Sequence, residues 1–416
     1  MFRSLAILLL TMTTVALYAQ QAIDLRGALQ RARQHNPDLR VLQQDISAAR
    51  ADRTTAAIKP NPVLNMQLLH MANPVDQAPG TNFFNAQNTQ YWYQVTKPFQ
   101  VAGQRHNKIE LADKAVERSQ FDYEEAARNV YRDAASSWID VWAAQVNLNI
   151  LLEGKRNIDS LVLINTYRLK NKVITDTDLD RTQLLAEQYN RDIVTARQSL
   201  LNELQALRYL LGTADSVFIA LDDPTFQSIT LPVDSLLASG TERRSDILSA
   251  RKTIEVNQTN ISLQKSLAYP QPELGAVYNP QNTTPYLGLY GTVEIPLFNR
   301  NQGQREKAQV LELRAEQNLL ATERQAEAEV TAAYRTYVTQ RANLSGYQQN
   351  LEKSARILNS VRYSYLKGAT SVIDYLEAQR SWLDTQQRYY ATMEVFRRSY
   401  VNLLYATGMI NQLAEQ

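Results

Sequence analysis

All thirteen prolines of this 416-residue chain fall within 37–98 or 224–296. A proline inside a helix costs about 3 kcal/mol, through its missing N–H and its clash with the preceding turn. The proline-free stretches 99–223 and 297–416 can therefore form very long helices, and their Glu, Gln, Arg, Leu and Ala content favours it. Along 109–151, Ile109, Ala112, Val116, Ser119, Tyr123, Ala126, Val130, Ala134, Ser137, Val141, Ala144, Leu148 and Leu151 advance in alternating steps of three and four. Such a stripe packs helix on helix in the coiled-coil manner. A continuous helix over 104–170 would be about 100 Å long, more than a compact globule needs, so a tube or fibrous rod is expected. Gly154 and Gly346 are candidate bends or breaks in the rods.

The two long stretches belong to matching halves. Thr175, Asp178, Gln183, Tyr209 and Gly212 recur as Ser371, Asp374, Gln379, Tyr405 and Gly408, at a constant spacing of 196 residues. Upstream, Gly103–Gln104–Arg105 matches Gly303–Gln304–Arg305, Pro98–Phe99 matches Pro296–Leu297, and Asp38–Leu39 matches Asp246–Ile247. An ordered series of this kind indicates internal duplication. We divide the chain into a signal peptide over 1–19, a first repeat over 20–223 and a second over 224–416. Each repeat reads as helix, strand pair, long helix, sharp turn and long helix. In the first these are 24–58 (with a break near Asn36–Pro37 and Asp24 as N-cap), 62–73, 88–98, 104–170 and 178–211. In the second they are 242–267, 272–280, 286–296, 302–366 and 372–407.

The start carries Arg3, the apolar run Leu5–Leu10 and a small-residue cleavage point after Ala19, the pattern of an export signal. No later segment offers a long uncharged apolar run, so a membrane would have to be crossed by strands. The candidate strands alternate accordingly. Leu64, Met66 and Leu68 oppose Asn65 and Gln67, while Leu287, Leu289, Val293 and Ile295 oppose Tyr286, Tyr290, Thr292 and Glu294. A lipid face beside a polar lumen face alternates in this way, as does a half-buried soluble sheet. Phe83, Phe84, Tyr91, Trp92, Tyr93, Tyr278 and Tyr286 are candidate interfacial girdles. Four strands cannot close a barrel around a wide lumen, so a membrane barrel would require several chains.

With 44 basic and 42 acidic residues, the net charge of +2 leaves no electrostatic footprint for nucleic acid. The absence of cysteine excludes disulfides, thiolate catalysis and zinc–thiolate sites. His35, His70 and His106 show no metal or triad spacing, and Met66 and Met71 read as packing or lipid-facing residues. No enzyme activity and no cofactor are expected.

Taken together, these features resemble the TolC-like outer-membrane efflux family across essentially the whole mature chain. The run Ile295–Pro296–Leu297–Phe298–Asn299–Arg300–Asn301–Gln302–Gly303 is similar to a strand-to-helix junction of its heavy-metal cation (cobalt–zinc–cadmium resistance) branch. Gly103 and Arg105 stand at the matching first-half junction. The resemblance implies a mostly α chain with a membrane β-barrel part, in which a homotrimer builds a twelve-stranded barrel and a helical coiled-coil tunnel. It also implies outer-membrane lipid, a periplasmic adaptor (membrane fusion) protein and a proton-driven inner-membrane pump as partners. Two other readings stay open: a non-channel periplasmic coiled-coil adaptor or structural protein, and a duct for drugs or other small molecules.

Site candidates gather at the two helix–helix turns. Thr175, Asp176, Asp178, Ser371 and Asp374 stand where helix N-caps are expected. The resemblance implies that Asp374 and Glu377 ring a periplasmic constriction and that Tyr365 belongs to the network closing it. Thr370 stands in place of the arginine of that network. Lys172, Gly368 and Ser371 are candidate adaptor contacts.

Overall fold

A computed structural model describes residues 22–81, 85–281 and 284–415. The expected signal peptide and the aromatic pair Phe83 and Phe84 lie outside the described residues. The order of elements is α1 (Leu25–His35), α2 (Pro37–Ala57), β1 (Val63–His70), β2 (Thr89–Pro98), α3 (Gln104–Lys170), α4 (Asp176–Leu211), α5 (Val233–Arg243), α6 (Ser245–Ser266), β3 (Glu273–Gln281), β4 (Thr284–Thr292), α7 (Gln302–Leu366), α8 (Val372–Ala406) and α9 (Met409–Glu415). The fold is mostly α, with a single four-stranded antiparallel sheet among the described residues.

Several boundaries differ from the sequence reading. Strand β1 stops at His70, because Asn73 caps a 3-10 turn over Pro74–Asp76 and draws the chain away. Strand β4 ends at Thr292, opposite the first residue of β3, so Val293 and Ile295 have no neighbouring strand and fall outside it. The second half does not open with one helix over 242–267 but with α5 and α6, separated at Arg244. Neither Gly154 nor Gly346 breaks a helix, since α3 and α7 run through them. Gly154 instead lets Tyr189 of α4 approach, and a Cβ there would lie 2.5 Å from the tyrosine ring. The helix ends follow local chemistry. Asp24 caps α1 by accepting from Gly27 N at 2.8 Å, and Gly212 ends α4 at φ 61°.

The chain forms two compact units that do not follow its halves. Among the described residues, one comprises those up to Val41, those of Ala126–Arg244 and those from Gln325 on, the other those of Leu42–Glu125 and Ser245–Arg324. In the first unit the stripe predicted along α3 is buried at Ala134, Ser137, Val141, Leu148 and Leu151. Here Trp138 and Trp142 are buried beside Arg397, whose guanidinium carbon lies 4.0 Å from the Trp142 ring centroid and 4.6 Å from that of Phe226. Burial draws the Arg397 pKa down to about 10, so the side chain keeps its charge at neutral pH inside an aromatic setting. A second cluster, including Ile158, Leu161, Tyr189, Ile193, Tyr365, Tyr375 and Trp382, packs the ends of the four long helices.

The other unit contains the sheet. The parts of α3 and α6 that lie here are joined by alternating charges. Lys114 Nζ is 2.9 Å from Glu255 and 3.3 Å from Glu117, and Lys252 Nζ is 2.9 Å from both.

Candidate functional site

The sheet order β1-β2-β3-β4 leaves β1 and β4 as edge strands. Register fixes its faces. Leu64 pairs with Val95, Val95 with Ala276 and Ala276 with Leu289; the next row runs Met66, Tyr93, Tyr278 and Leu287. Because directly opposed residues share a face, these rows make one apolar surface, on which Leu287 and Leu289 are 82 % and 96 % exposed. The other face carries Asn65, Gln67, Gln94, Thr96, Asn279 and Tyr290. The expected aromatic girdle is split by the same alternation. Tyr91, Tyr93 and Tyr278 lie on the apolar face, whereas Trp92 and Tyr286 lie on the polar one. Gly275 allows β2 and β3 to pair closely, for a Cβ there would sit 2.1 Å from the Val95 carbonyl oxygen.

The junction residues fasten helix ends. Arg105 donates through Nη2 and Nε to the Ala57 carbonyl at 2.7 and 3.2 Å, closing the C-terminus of α2. Gln104 donates to the Ser266 and Tyr269 carbonyls at the end of α6, where Asn301 Nδ2 also reaches the Gln264 carbonyl at 2.9 Å. The two junctions are not superimposable in sequence. Gly103 adopts φ 76° before α3, but in the second half Asn301 takes the left-handed conformation and Gly303 lies inside α7. Around it, the Pro296 carbonyl accepts from Arg300, Asn299 accepts from the Asn301 amide, and Phe298 is 91 % exposed.

Both helix–helix turns are capping boxes. Thr175 and Asp178 exchange side-chain and backbone hydrogen bonds at the start of α4, and Ser371 and Asp374 do so at the start of α8. Lys172 and Gly368 hold equivalent left-handed positions at φ 61° and 75°. Asp176 is exposed in the first turn of α4. The two aspartates differ in their surroundings. Arg181 lies 3.8 Å from Asp178, whereas the donors to Asp374 are neutral: Thr370 Oγ1 at 2.6 Å, Ser371 Oγ at 2.7 Å and Ser371 N at 3.1 Å, all on Oδ2. The Thr370 hydroxyl, then the Ser371 hydroxyl and amide, hold the Asp374 carboxyl below the usual carboxylate range. Glu377 is exposed one turn further on. It lines a groove of about 340 Å³ between α4 and α8, together with Leu184, Leu185, Ile373, Leu376, Arg181 and Arg380.

Tyr365 does not face solvent with these acids; it is 2 % exposed. Its hydroxyl donates to Asn165 Oδ1 at 2.5 Å, and Asn165 Nδ2 donates to Thr182 Oγ1 at 2.9 Å. Arg168 Nη2 donates to the Tyr365 carbonyl at 2.9 Å, with the guanidinium carbon 4.4 Å from the Tyr365 ring centroid. The Tyr375 ring stacks on Tyr365 at 5.6 Å. Sequence reading selected Tyr365 but passed over Asn165, Arg168 and Thr182. The signal was available in the duplication, because their counterparts 196 residues on are Val361, Ser364 and Ala378.

Among the described residues no helix is long and apolar enough to cross a membrane. The sequence pattern described as "Outer membrane efflux protein" matches residues 28–213 and 236–409. The outer membrane protein TolC of Vibrio cholerae is 22 % identical over 94 % of this chain and 92 % of its own length. The cation efflux system protein CusC of Escherichia coli is 24 % identical over 64 % of this chain and 61 % of its own. A crystal structure of CusC superposes with a TM-score of 0.74 at 20 % identity, covering 94 % of this chain and 95 % of that one. The open-state MtrE channel of Neisseria gonorrhoeae gives 0.72 at 16 % identity, covering 92 % and 89 %. Family members form homotrimeric channels that work with adaptor proteins and inner-membrane pumps. The chain belongs to the outer membrane efflux protein family and is an outer-membrane export channel.

Proposed function

We propose that this protein is the outer-membrane duct of a tripartite efflux system that exports heavy-metal cations, working as a homotrimer with a periplasmic adaptor and a proton-driven inner-membrane pump. The sheet carries the reading. Four strands with one exposed apolar face and two open edges can neither close a barrel nor bury that face alone. Pairing β1 of one copy with β4 of the next gives a twelve-stranded barrel with the Leu287–Leu289 face towards lipid. The two repeats, 20–223 and 224–416, would then each supply one hairpin of strands and one of helices, after removal of a signal peptide.

The turn residues form the periplasmic end in this reading. Asp374 and Glu377 line the constriction, Thr175, Asp176 and Asp178 shape the neighbouring turn, and Tyr365 secures the helices behind it. Threefold repetition of the Asp374 carboxylate concentrates negative potential, which draws cations to the mouth. Lys172, Gly368 and Ser371 meet the adaptor at the turn tips, beside the groove between α4 and α8. Single-channel recordings test the acidic ring. Asp374→Asn and Glu377→Gln are expected to lower cation selectivity, and unchanged selectivity and conductance would refute the assignment.

A cation cargo is favoured by the match to CusC, a cation efflux system protein. The longer match to TolC, over 94 % of the chain, favours a second reading as a general small-molecule duct. A strain lacking this gene separates them: hypersensitivity to metal salts supports the first, and hypersensitivity to drugs alone supports the second.

A further inference from the structure

We propose that Trp92, Asn279 and Tyr286 form a binding site for flat organic cations on the inner wall of the barrel, one in each copy of the chain. The proposal rests on the channel reading above, in which the polar face of the sheet lines the lumen. It takes up two aromatic residues that the reading leaves without a task. As girdle residues Trp92 and Tyr286 would have to face lipid, yet both stand on the polar face. Asn279 pairs with Tyr286, and one step beyond the pair Tyr93–Tyr278 the register sets Trp92 opposite Asn279. The three residues therefore form one row across β2, β3 and β4. It lies near the turn joining β3 and β4, at the end of the sheet away from the helices.

With neighbouring strands about 4.8 Å apart, the backbones that carry the two rings are separated by about 10 Å. A flat group with a ring on either side needs roughly 7 Å, so the rings can close on one guest. Asn279 forms the floor between them. Its side chain is 4 % exposed, and Oδ1 has no hydrogen-bond partner among the described residues. A buried acceptor left in that state is costly, and positive charge above it offsets the loss. On the same face Gly288 follows Tyr286 two residues on, and a Cβ there would meet nothing within 4 Å, so the space beside the tyrosine is open. On the apolar face Tyr93 and Tyr278 stack on each other at 6.5 Å. Trp92 and Tyr286 have no such ring partner among the described residues and are 37 % and 60 % exposed.

Charge selects the guest. Among the described strand residues the polar face carries one carboxylate, Glu273, and no lysine or arginine. The faces of indole and phenol rings are negative and attract cations. A cation with a flat apolar body is held by both rings and by the amide dipole, whereas an anion finds no countercharge here. Such a site retards organic cations in transit and leaves anions untouched.

Tryptophan fluorescence of the protein in liposomes tests this, because Trp138, Trp142 and Trp382 are buried and Trp92 is the tryptophan open to solvent. The probe is N-methylpyridinium, a flat aromatic cation that quenches indole on contact. Its quenching should saturate, whereas quenching by neutral acrylamide and by iodide should rise linearly with concentration. Trp92→Phe should remove the saturable part. Tyr286→Leu should weaken the apparent affinity about two- to fivefold, as expected for loss of one exposed cation–π contact, and Tyr286→Phe should keep it. Tyr91→Leu, on the opposite face, should bind like wild type. Linear quenching of the wild-type protein by N-methylpyridinium overturns the inference while leaving the channel reading intact, and it needs no variant that might misfold. Unchanged affinity in Tyr286→Leu does the same. Quenching of Trp92 by phospholipids with brominated tails would set the polar face against lipid and overturn both.

Discussion

The Asn36 side-chain amide donates to the Leu210 carbonyl at 2.9 Å, tying the break between α1 and α2 to the end of α4. Its Oδ1 accepts from the Asp38 and Leu39 amides at 2.9 and 3.1 Å and so caps α2. At the corresponding break Arg244 donates to the Ala406 carbonyl at 3.2 Å. Leu210 and Ala406 stand 196 residues apart, the same spacing as the turn motifs. Two different side chains therefore make the same connection in the two halves. Asn36→Ala is expected to destabilise the protein by about 2–3 kcal/mol, combining a lost cap with a part-buried carbonyl left unpaired. Asn36→Asp, which keeps the cap and loses the donor, should fall between. Denaturant midpoints of the three proteins give the order.

The turn residues Lys172 and Gly368 share a left-handed backbone, but only glycine adopts it without steric cost. Lys172→Gly should stabilise the first turn by up to about 1 kcal/mol, and Gly368→Ala should destabilise the second by about 1–2 kcal/mol. Opposite shifts in thermal midpoint are the expected result. Similar shifts of one sign would mean that the Lys172 side chain makes a contact outweighing the backbone strain.

The charge ring of Lys114, Glu117, Lys252 and Glu255 has a predictable pH window. Hydrogen bonds from Lys252 to Glu117 and from Lys114 to Glu255 hold both carboxyls below their usual range, and the same bonds raise the two lysines. For the carboxylates, the stabilisation is present above the unfolded pKa of about 4.3 and is lost as pH falls through the lower folded values. For the lysines, it is complete below about 10.4 and is lost as pH rises through the higher folded values. The clamp should therefore act between about pH 5 and pH 10. Glu255→Gln should melt below wild type at pH 7, and the two should converge near pH 3.

The two faces of the sheet should respond differently to charge. Leu287→Lys places a cation on the apolar face and is expected to cost about 2–4 kcal/mol of membrane stability, depending on its depth. Tyr290→Lys, on the polar face of the same strand, should be tolerated and should change conductance instead. The yield of folded trimer in outer-membrane fractions separates these outcomes, and equal yields would contradict the assignment of faces.

Much of this structure was legible before any coordinates. Confinement of proline to two segments left room for the long helices, and the 3–4 stripe from Ile109 to Leu151 identified a packing face that is buried along Ala134–Leu151. Helix caps were readable at Asp24, Thr175 and Ser371 because a cap is a local event, made by one side chain and an amide two or three residues ahead. Strand ends were less legible. The alternation at Val293 and Ile295 satisfies the period of a strand, yet strand residues also need a neighbour, and β3 begins opposite Thr292. The split at Arg244 was missed because no proline marks it; Glu329 and the Ala406 carbonyl hold the arginine there.

The sequence by itself therefore determined the element types, the export family and the acidic character of the turns. These depend on periodicity, on proline and on contacts between near neighbours. Tertiary structure alone decided which residues meet. It buried Tyr365 away from Asp374, brought Arg168 and Asn165 to it across about two hundred residues of chain, and set Tyr93 beside Tyr278 through strand register. No local rule encodes those pairings, because each depends on where the chain returns after a long excursion and on which side chain then fills the space.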